Sequence, residues 1–163
     1  DSFEIALYLE ATYPDRPSLF GGEGGKAMAR FVESWALAAV HPPMMGLIVK
    51  DIHERLGDDD QVYFRESREK RLGRTLEEAQ IGREERVVPW QAGLQPLRAM
   101  LAKQPFIGGE RPLFADYIVF GPLQWARVIS PFPLLAADDP VAGWFERCLD
   151  LHGGVGRAMP AAA

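Results

Sequence analysis

Three histidines, one cysteine and one glycine-rich stretch are the residues of this 163-residue chain that could carry catalytic or metal chemistry. His41, His53 and His152 are scattered, and none has the spacing that gathers ligands around a metal ion. Cys148 lies on an apolar helical face, where a free cysteine more often fills a core than acts as a nucleophile. Residues 21–25 lack the Lys-Ser/Thr of a phosphate-binding loop. These residue types alone predict no metal site and no catalytic group.

Composition and charge exclude several function classes. The chain is 47% hydrophobic and 25% charged, which is typical of a globular protein. Its net charge of -5 argues against nucleic acid or an anionic membrane surface as the partner. A single cysteine forms no disulfide framework, and neither end of the chain looks like a signal peptide. We therefore expect a cytoplasmic protein.

The elements that would position a site are organised around one apolar segment, Pro105–Ser130. Between Leu113 and Ala126 only Asp116 is charged, and apolar residues occur on every side, which is typical of a helix without a solvent face. The run is shorter than the ~20 residues that cross a bilayer, so a buried helix of a soluble domain is the better interpretation. In the first turn, Asp116 can accept backbone N–H bonds, and we expect it to be structural.

The first 25 residues read as one helix and a linker. Residues 1–13 place Ile5, Leu9 and Tyr13 on one face, which predicts a short amphipathic helix capped by Asp1 or Ser2. Residues 14–25 contain six Gly or Pro, which is linker composition. So short a helix cannot stand alone as a domain, because it buries too little apolar surface to offset the entropy of ordering it.

Residues 26–163 predict an all-helical domain with no strand or repeat. Two prolines after His41 either kink one helix or separate two, and the sequence leaves this open. A capping-box pattern at Thr75 predicts a new helix start. Besides the buried helix, the predicted elements are helical pieces within 26–56, a charged helix within 61–73, one long bent helix from 75 to about 103, and a helix at 141–151 followed by a short frayed tail.

Three separated segments resemble the glutathione transferases in order and spacing. They are the opening DSFEIALYLEATYPDRPSL, the segment PFIGGERPLFADYIVFG and the terminal helix, and the resemblance covers essentially the whole chain. It implies an all-α, C-terminal-like helical bundle around a buried central helix at 26–163. It also implies that 1–13 is the last helix of a thioredoxin-like α/β domain whose other parts are missing upstream, and that 14–25 is the linker.

The resemblance further implies a co-substrate, glutathione, and a site. In this family an acidic residue followed by Ser holds the γ-glutamyl end of glutathione, so Asp1 would take its ammonium and Ser2, with the helix N-terminus, its carboxylate. The thiol-activating residue would lie upstream of Asp1. This chain would supply the wall for a hydrophobic electrophile, for which Trp35, Ala39 and Met45, together with residues of the C-terminal tail, are the candidates. Ordinary core packing is the alternative for all three. A homodimer is also implied.

Finer features of the resemblance point to a subgroup and to one departure. The segments DIHERLGDDDQVYFRESREKRLGRTLEE and FADYIVFGPLQWARV are most similar to the bacterial β-etherase type, which implies cleavage of aryl ethers by thiolate attack. The family has a Ser or Thr cap three positions before Asp116, but this chain has Leu113, and losing such a cap costs about 1 kcal/mol. The alternative function is a non-catalytic protein-interaction module, which would bind glutathione without turnover.

Overall fold

Ten α-helices and one π-helical turn account for the regular structure, and the computed structural model describes all of residues 1–163. No strand is present, and the only β-type pairing is an isolated bridge between Phe106 and Gly109. The all-α prediction is therefore confirmed. The helices are α1 Ser2–Thr12, α2 Glu23–Trp35, α3 His41–Arg55, α4 Asp58–Leu72, α5 Leu76–Gln80, α6 Arg83–Gly93, α7 Gln95–Leu101, α8 Phe114–Ile129, α9 Pro140–Leu149 and α10 Leu151–Ala158, with the π turn at Ala36–Val40.

Helix α8 is the centre of the fold, as its composition predicts. It packs against α2, α3 and α9, and its buried residues are Ala115, Asp116, Val119, Leu123 and Ala126. The side of α8 that carries Tyr117, Ile118 and Gly121 is not fully covered by protein and lines a cavity instead. One face of an apolar helix is thus available to a ligand.

The two prolines lie within one continuous helical stretch and do not separate two helices. Pro42 and Pro43 lie in the first turn of α3, where a missing N–H breaks little hydrogen bonding, and they follow directly on the π turn. The continuous stretch Glu23–Arg55 is long enough to span a membrane and has a mean hydropathy of 1.2 over 18 residues. Core helices pass the same test, and here Val32, Met44 and Ile48 are buried in the core.

The prediction of one long helix from Thr75 to Lys103 was wrong, because the segment folds as α5, α6 and α7. Gly82 adopts a left-handed φ of 68°, which ends one helix and starts the next. The second break falls at Leu94, just before Pro96 in the first turn of α7. The predicted capping box is confirmed, since Thr75 Oγ1 accepts the Glu78 N–H at 3.2 Å and the Glu78 carboxylate accepts the Thr75 N–H at 2.9 Å.

Helix α1 docks through a different face from the one its apolar spacing suggests. Ile5, Leu9 and Tyr13 are exposed, whereas Phe3 and Ala6 are buried. The Phe3 ring packs against the rings of Phe20 and Phe114, with centroids 5.5 Å and 5.3 Å away. This aromatic cluster fixes α1 against the start of α8.

The C-terminal end of the chain contains the short turn that the sequence predicts. Helix α9 ends at Leu149, and Asp139 caps it by accepting the Val141 N–H at 2.9 Å. Within α10, residues 152–154 are left-handed, so only about one helical turn remains at 155–158. The left-handed segment turns the chain back towards α8. The Gln124 amide of α8 donates to the Gly156 carbonyl at 2.7 Å, which holds α10 in place.

Candidate functional site

The N-terminus of α1 presents a free backbone donor. Asp1 is the N-cap, and its Oδ1 accepts the Glu4 N–H at 3.0 Å. The Ile5 N–H donates to the Asp1 carbonyl at 3.1 Å. The Ser2 N–H belongs to the first turn and so has no intrahelical acceptor. Together with the Ser2 hydroxyl and the positive end of the helix dipole, this N–H can bind a carboxylate.

A cavity of about 450 Å³ opens beside Ser2. Its wall is mainly apolar and comes from the π turn and α8, with Leu37, Phe114 and Ile118 among its residues. His41, Tyr117 and the Glu33 carboxylate add polar groups to the same wall. A largely apolar cavity with a few placed polar groups suits a small hydrophobic ligand.

Two aromatic contacts define how the polar groups of this cavity are held. The Tyr117 hydroxyl lies 3.0 Å from His152 Nε2, and the two rings stack with centroids 6.1 Å apart. Burial of the ring, assisted by the nearby Asp116 carboxylate, raises the pKa of Tyr117 above its usual value. The phenol therefore stays protonated at neutral pH. His41 contacts the Trp125 ring edge to face, with centroids 6.0 Å apart.

The position of Tyr117 depends on Asp116, which anchors the start of α8. The Asp116 side chain is fully buried and accepts four hydrogen bonds. Oδ1 accepts the Ile107 N–H at 2.7 Å and the Trp144 indole N–H at 2.9 Å, and Oδ2 accepts the Gly108 N–H at 2.9 Å and the Leu113 N–H at 3.0 Å. The carboxylate thus ties α8 to the preceding loop and to α9.

Leu113 has no side-chain acceptor, so only the carboxylate half of a capping box exists at this helix start. A backbone carbonyl from another segment accepts one of the N–H groups at this helix start. The Phe114 N–H donates to the Leu19 carbonyl at 2.7 Å. That bond connects α8 to the segment after α1, and the Leu19 N–H in turn donates to the Glu10 carboxylate at 2.8 Å. Helix α1 and helix α8 are therefore joined at the site.

The three residues proposed from sequence for the hydrophobic wall do not line the cavity beside Ser2. Ala39 and Met45 lie in another cavity, of about 740 Å³, together with Trp90 and several arginines. Trp35 is half-buried against the core. The residues that do line the Ser2 cavity, such as Leu37 and Tyr117, were missed. The sequence feature that could have identified Tyr117 was the presence of a polar tyrosine next to Asp116 in an apolar helix.

Other candidate groups show no sign of chemistry. Burial raises the pKa of Cys148 to about 12, with the Asp116 carboxylate adding to the effect, so its thiol is protonated at neutral pH. Protonated thiols are poor nucleophiles. No three His, Cys, Asp or Glu residues lie close enough together to hold a metal ion.

The sequence matches a known family over most of its length. Residues 27–150 match the family model described as "Glutathione S-transferase, C-terminal domain". The chain belongs to the glutathione transferase family. It is 30% identical over 138 residues to a glutathione S-transferase-like protein, ustS, of Aspergillus flavus, a match that covers 78% of this chain and 50% of that protein. The chain thus spans about half the length of this curated relative.

Solved glutathione transferases share the fold. The crystal structure of GSTFuA3 from Phanerochaete chrysosporium superposes with a TM-score of 0.70 at 33% identity, covering 97% of this chain and 60% of that one. GSTFuA2 from the same organism gives a TM-score of 0.71 at 27% identity, covering 98% of this chain and 62% of that one. The predicted C-terminal-like bundle is confirmed. Glutathione is the co-substrate of this family.

Proposed function

We propose that this chain is the C-terminal part of a cytoplasmic glutathione transferase that conjugates glutathione to an apolar, aromatic electrophile. Residues 1–13 are then the last helix of a thioredoxin-like domain, 14–25 the linker and 26–163 the helical domain. Asp1 and Ser2 bind the γ-glutamyl group of glutathione. Residues upstream of Asp1 activate its thiol. The partial coverage of the relatives, between 50% and 62%, supports a longer protein.

One observation carries this proposal: Ser2 and an apolar wall line the same cavity. The N–H and hydroxyl groups of Ser2 at the start of α1 suit the glutathione carboxylate. Leu37, Phe114 and Ile118 suit an aromatic body. Because Ala39 and Met45 line a different cavity, we assign the hydrophobic wall to these three residues, not to the ones predicted from sequence.

The chemistry that we propose is attack of the glutathione thiolate on an electrophilic carbon. An aryl ether is the substrate that the β-etherase resemblance suggests. In that case the carbon–sulfur bond forms as the carbon–oxygen bond breaks, and the aryl oxide takes the bonding electrons and a proton. The products are the glutathione thioether and a phenol.

The proposal is tested with the full-length protein that contains this chain. We expect it to bind immobilised glutathione and to conjugate glutathione to aryl electrophiles. Binding without turnover would favour a non-catalytic interaction module, and absence of both would contradict the proposal. We also propose that the full-length protein is a homodimer, which light scattering would show as twice the monomer mass.

A further inference from the structure

Tyr117, which lines the cavity that contains Ser2, forms a hydrogen-bonded pair with His152. Tyr117 comes from the central helix α8. His152 comes from α10, is exposed outside the cavity lining, and its Nε2 lies 3.0 Å from the Tyr117 hydroxyl oxygen. The rings stack at an interplanar angle of 28°. Two distant parts of the sequence thus place a polar pair beside a mainly apolar wall that also carries Glu33 and His41.

The backbone at His152 is strained to make this contact. With φ at 54° and ψ at 41°, His152 is the only residue other than glycine with a positive φ. Gly153 and Gly154 continue the left-handed segment with φ of 73° and 79°. A left-handed conformation is unfavourable for a residue with a Cβ. Such strain clusters at functional sites, where the surrounding structure holds it.

The hydrogen-bonding capacity of a tyrosine decides what the pair can do. A phenol has one donor and can accept two hydrogen bonds. If the His152 Nε2–H donates to the Tyr117 oxygen, the Tyr117 O–H remains free for a group in the cavity. The imidazole donor then stabilises the negative charge that develops on the Tyr117 oxygen as its proton moves to that group.

Resting on the proposed function, we propose that Tyr117 is a catalytic acid for electrophiles that lose an oxygen leaving group, with His152 as its positioning residue. The thiolate sulfur bonds to the electrophilic carbon, the carbon–oxygen bond breaks, and its electron pair goes to the leaving oxygen. The Tyr117 O–H gives its proton to that oxygen, releasing a phenol or alcohol. The tyrosinate left behind regains a proton from solvent, with the His152 N–H stabilising its charge meanwhile.

This role selects a substrate class by its leaving group. An aryl oxide is the conjugate base of a phenol with a pKa of about 10, so protonation helps it leave. Chloride is a stable anion that leaves without a proton. Tyr117 should therefore matter much more for an aryl ether than for the corresponding chloride.

The test compares two electrophiles that share one carbon skeleton. Phenacyl phenyl ether loses phenoxide and phenacyl chloride loses chloride, so the ratio of their kcat values isolates help to the leaving group. In the full-length protein, Tyr117→Phe should lower this ether-to-chloride ratio about 100-fold, the lower end of what a general acid contributes. Tyr63→Phe is the matched control, because Tyr63 is 73% exposed on α4, outside the cavity. It should leave both kcat values at the wild-type level.

His152→Gly separates positioning from a structural role. Glycine adopts the left-handed conformation without strain, so the variant should fold as stably as the wild type. It should lower kcat for the ether with little change in KM, and added imidazole should restore part of that activity. A Tyr117→Phe variant that slows both substrates equally, or neither, would overturn the inference, as would a wild type that accepts only the chloride. Absence of any glutathione conjugation would instead refute the proposed function itself.

Discussion

The carboxylate of Asp116 is completely buried, and four donors compensate its loss of water. Three of them are backbone N–H groups and one is the Trp144 indole. Since the acceptors are charged, each bond is stronger than one between neutral groups. The residue that orients the start of α8 is therefore also one on which folding depends.

We expect Asp116→Asn to lower the free energy of unfolding by about 3 kcal/mol, because an amide removes the charge and turns one acceptor into a donor that faces other donors. Urea denaturation with tryptophan fluorescence measures the change. Asp138→Asn is the matched control, since Asp138 is exposed in the loop before α9. Equal denaturation midpoints for the two variants would contradict this role of Asp116.

Asp139 forms an ion pair with Arg98, and the strength of this pair depends on pH. Partial burial opposes ionisation of Asp139, but the Arg98 guanidinium at 2.7 Å and the Val141 N–H outweigh it and hold the pKa of Asp139 below its usual value. A carboxylate with a lowered folded-state pKa stabilises the fold above its unfolded pKa of about 3.9. This stabilisation is lost as the pH falls through the folded-state pKa.

Asp139→Asn keeps a side-chain cap for α9 and removes only the charge. We expect it to lower the free energy of unfolding by about 2 kcal/mol at pH 7. The difference from the wild type should shrink as the pH is lowered below about 4, where the wild-type carboxylate is itself being protonated. Urea denaturation across this range tests it, with exposed Asp59 changed to Asn as control. A difference that does not vary with pH would be incompatible with the ion pair.

At the scale of the elements, the start of α2 is set by close contact with the loop that precedes it. A Cβ on Gly25 would lie 1.7 Å from the Phe20 carbonyl oxygen, whereas a Cβ on the adjacent Gly24 would meet nothing within 4 Å. Phe20 is buried in the aromatic cluster that holds α1 against α8. The close contact with Phe20 therefore requires glycine at position 25 and leaves room for a side chain at position 24.

Gly24→Ala should stabilise the protein by about 0.5–1 kcal/mol, because alanine favours the helix and adds no clash. Gly25→Ala should destabilise it, since the backbone of Phe20 must move to make room. Thermal denaturation of the two variants measures both effects, each serving as the control for the other. Similar shifts in Tm, of either sign, would show that α2 does not pack this closely on Phe20.

The elements also show why sequence patterns predicted the fold better than the site. Composition alone indicated α8, and the Thr75 cap was visible as a local motif. The face of the helix after Trp35 was not predictable, because the π turn at Ala36–Val40 adds a residue and rotates the following helix by about 100°. The family resemblance suggested Ala39 and Met45 for the substrate wall, whereas Leu37 and His41 line the cavity beside Ser2.

At the scale of the whole molecule, the cavity is a product of tertiary packing. Ser2 and Tyr117 are over a hundred positions apart in the sequence, and the Phe114 N–H bond to Leu19 helps bring their helices together. Neither hydrophobic periodicity nor local motifs could reveal that Ser2 and Tyr117 line the same cavity. The resemblance to glutathione transferases suggested Ser2, and only the fold identified the residues that accompany it.

Glutathione binding at the start of α1 is the part of the proposed function on which the rest depends. The decisive measurement is the glutathione Kd of the full-length protein and of its Ser2→Ala variant, by titration calorimetry. Loss of one hydrogen bond to a carboxylate, about 1.5–3 kcal/mol, predicts a Kd roughly 10- to 100-fold weaker with the Tm unchanged. Ser34→Ala, at an exposed position of α2 outside the cavity, is the matched control. A Ser2→Ala protein that binds glutathione as tightly as the wild type would contradict binding of the glutathione carboxylate by Ser2.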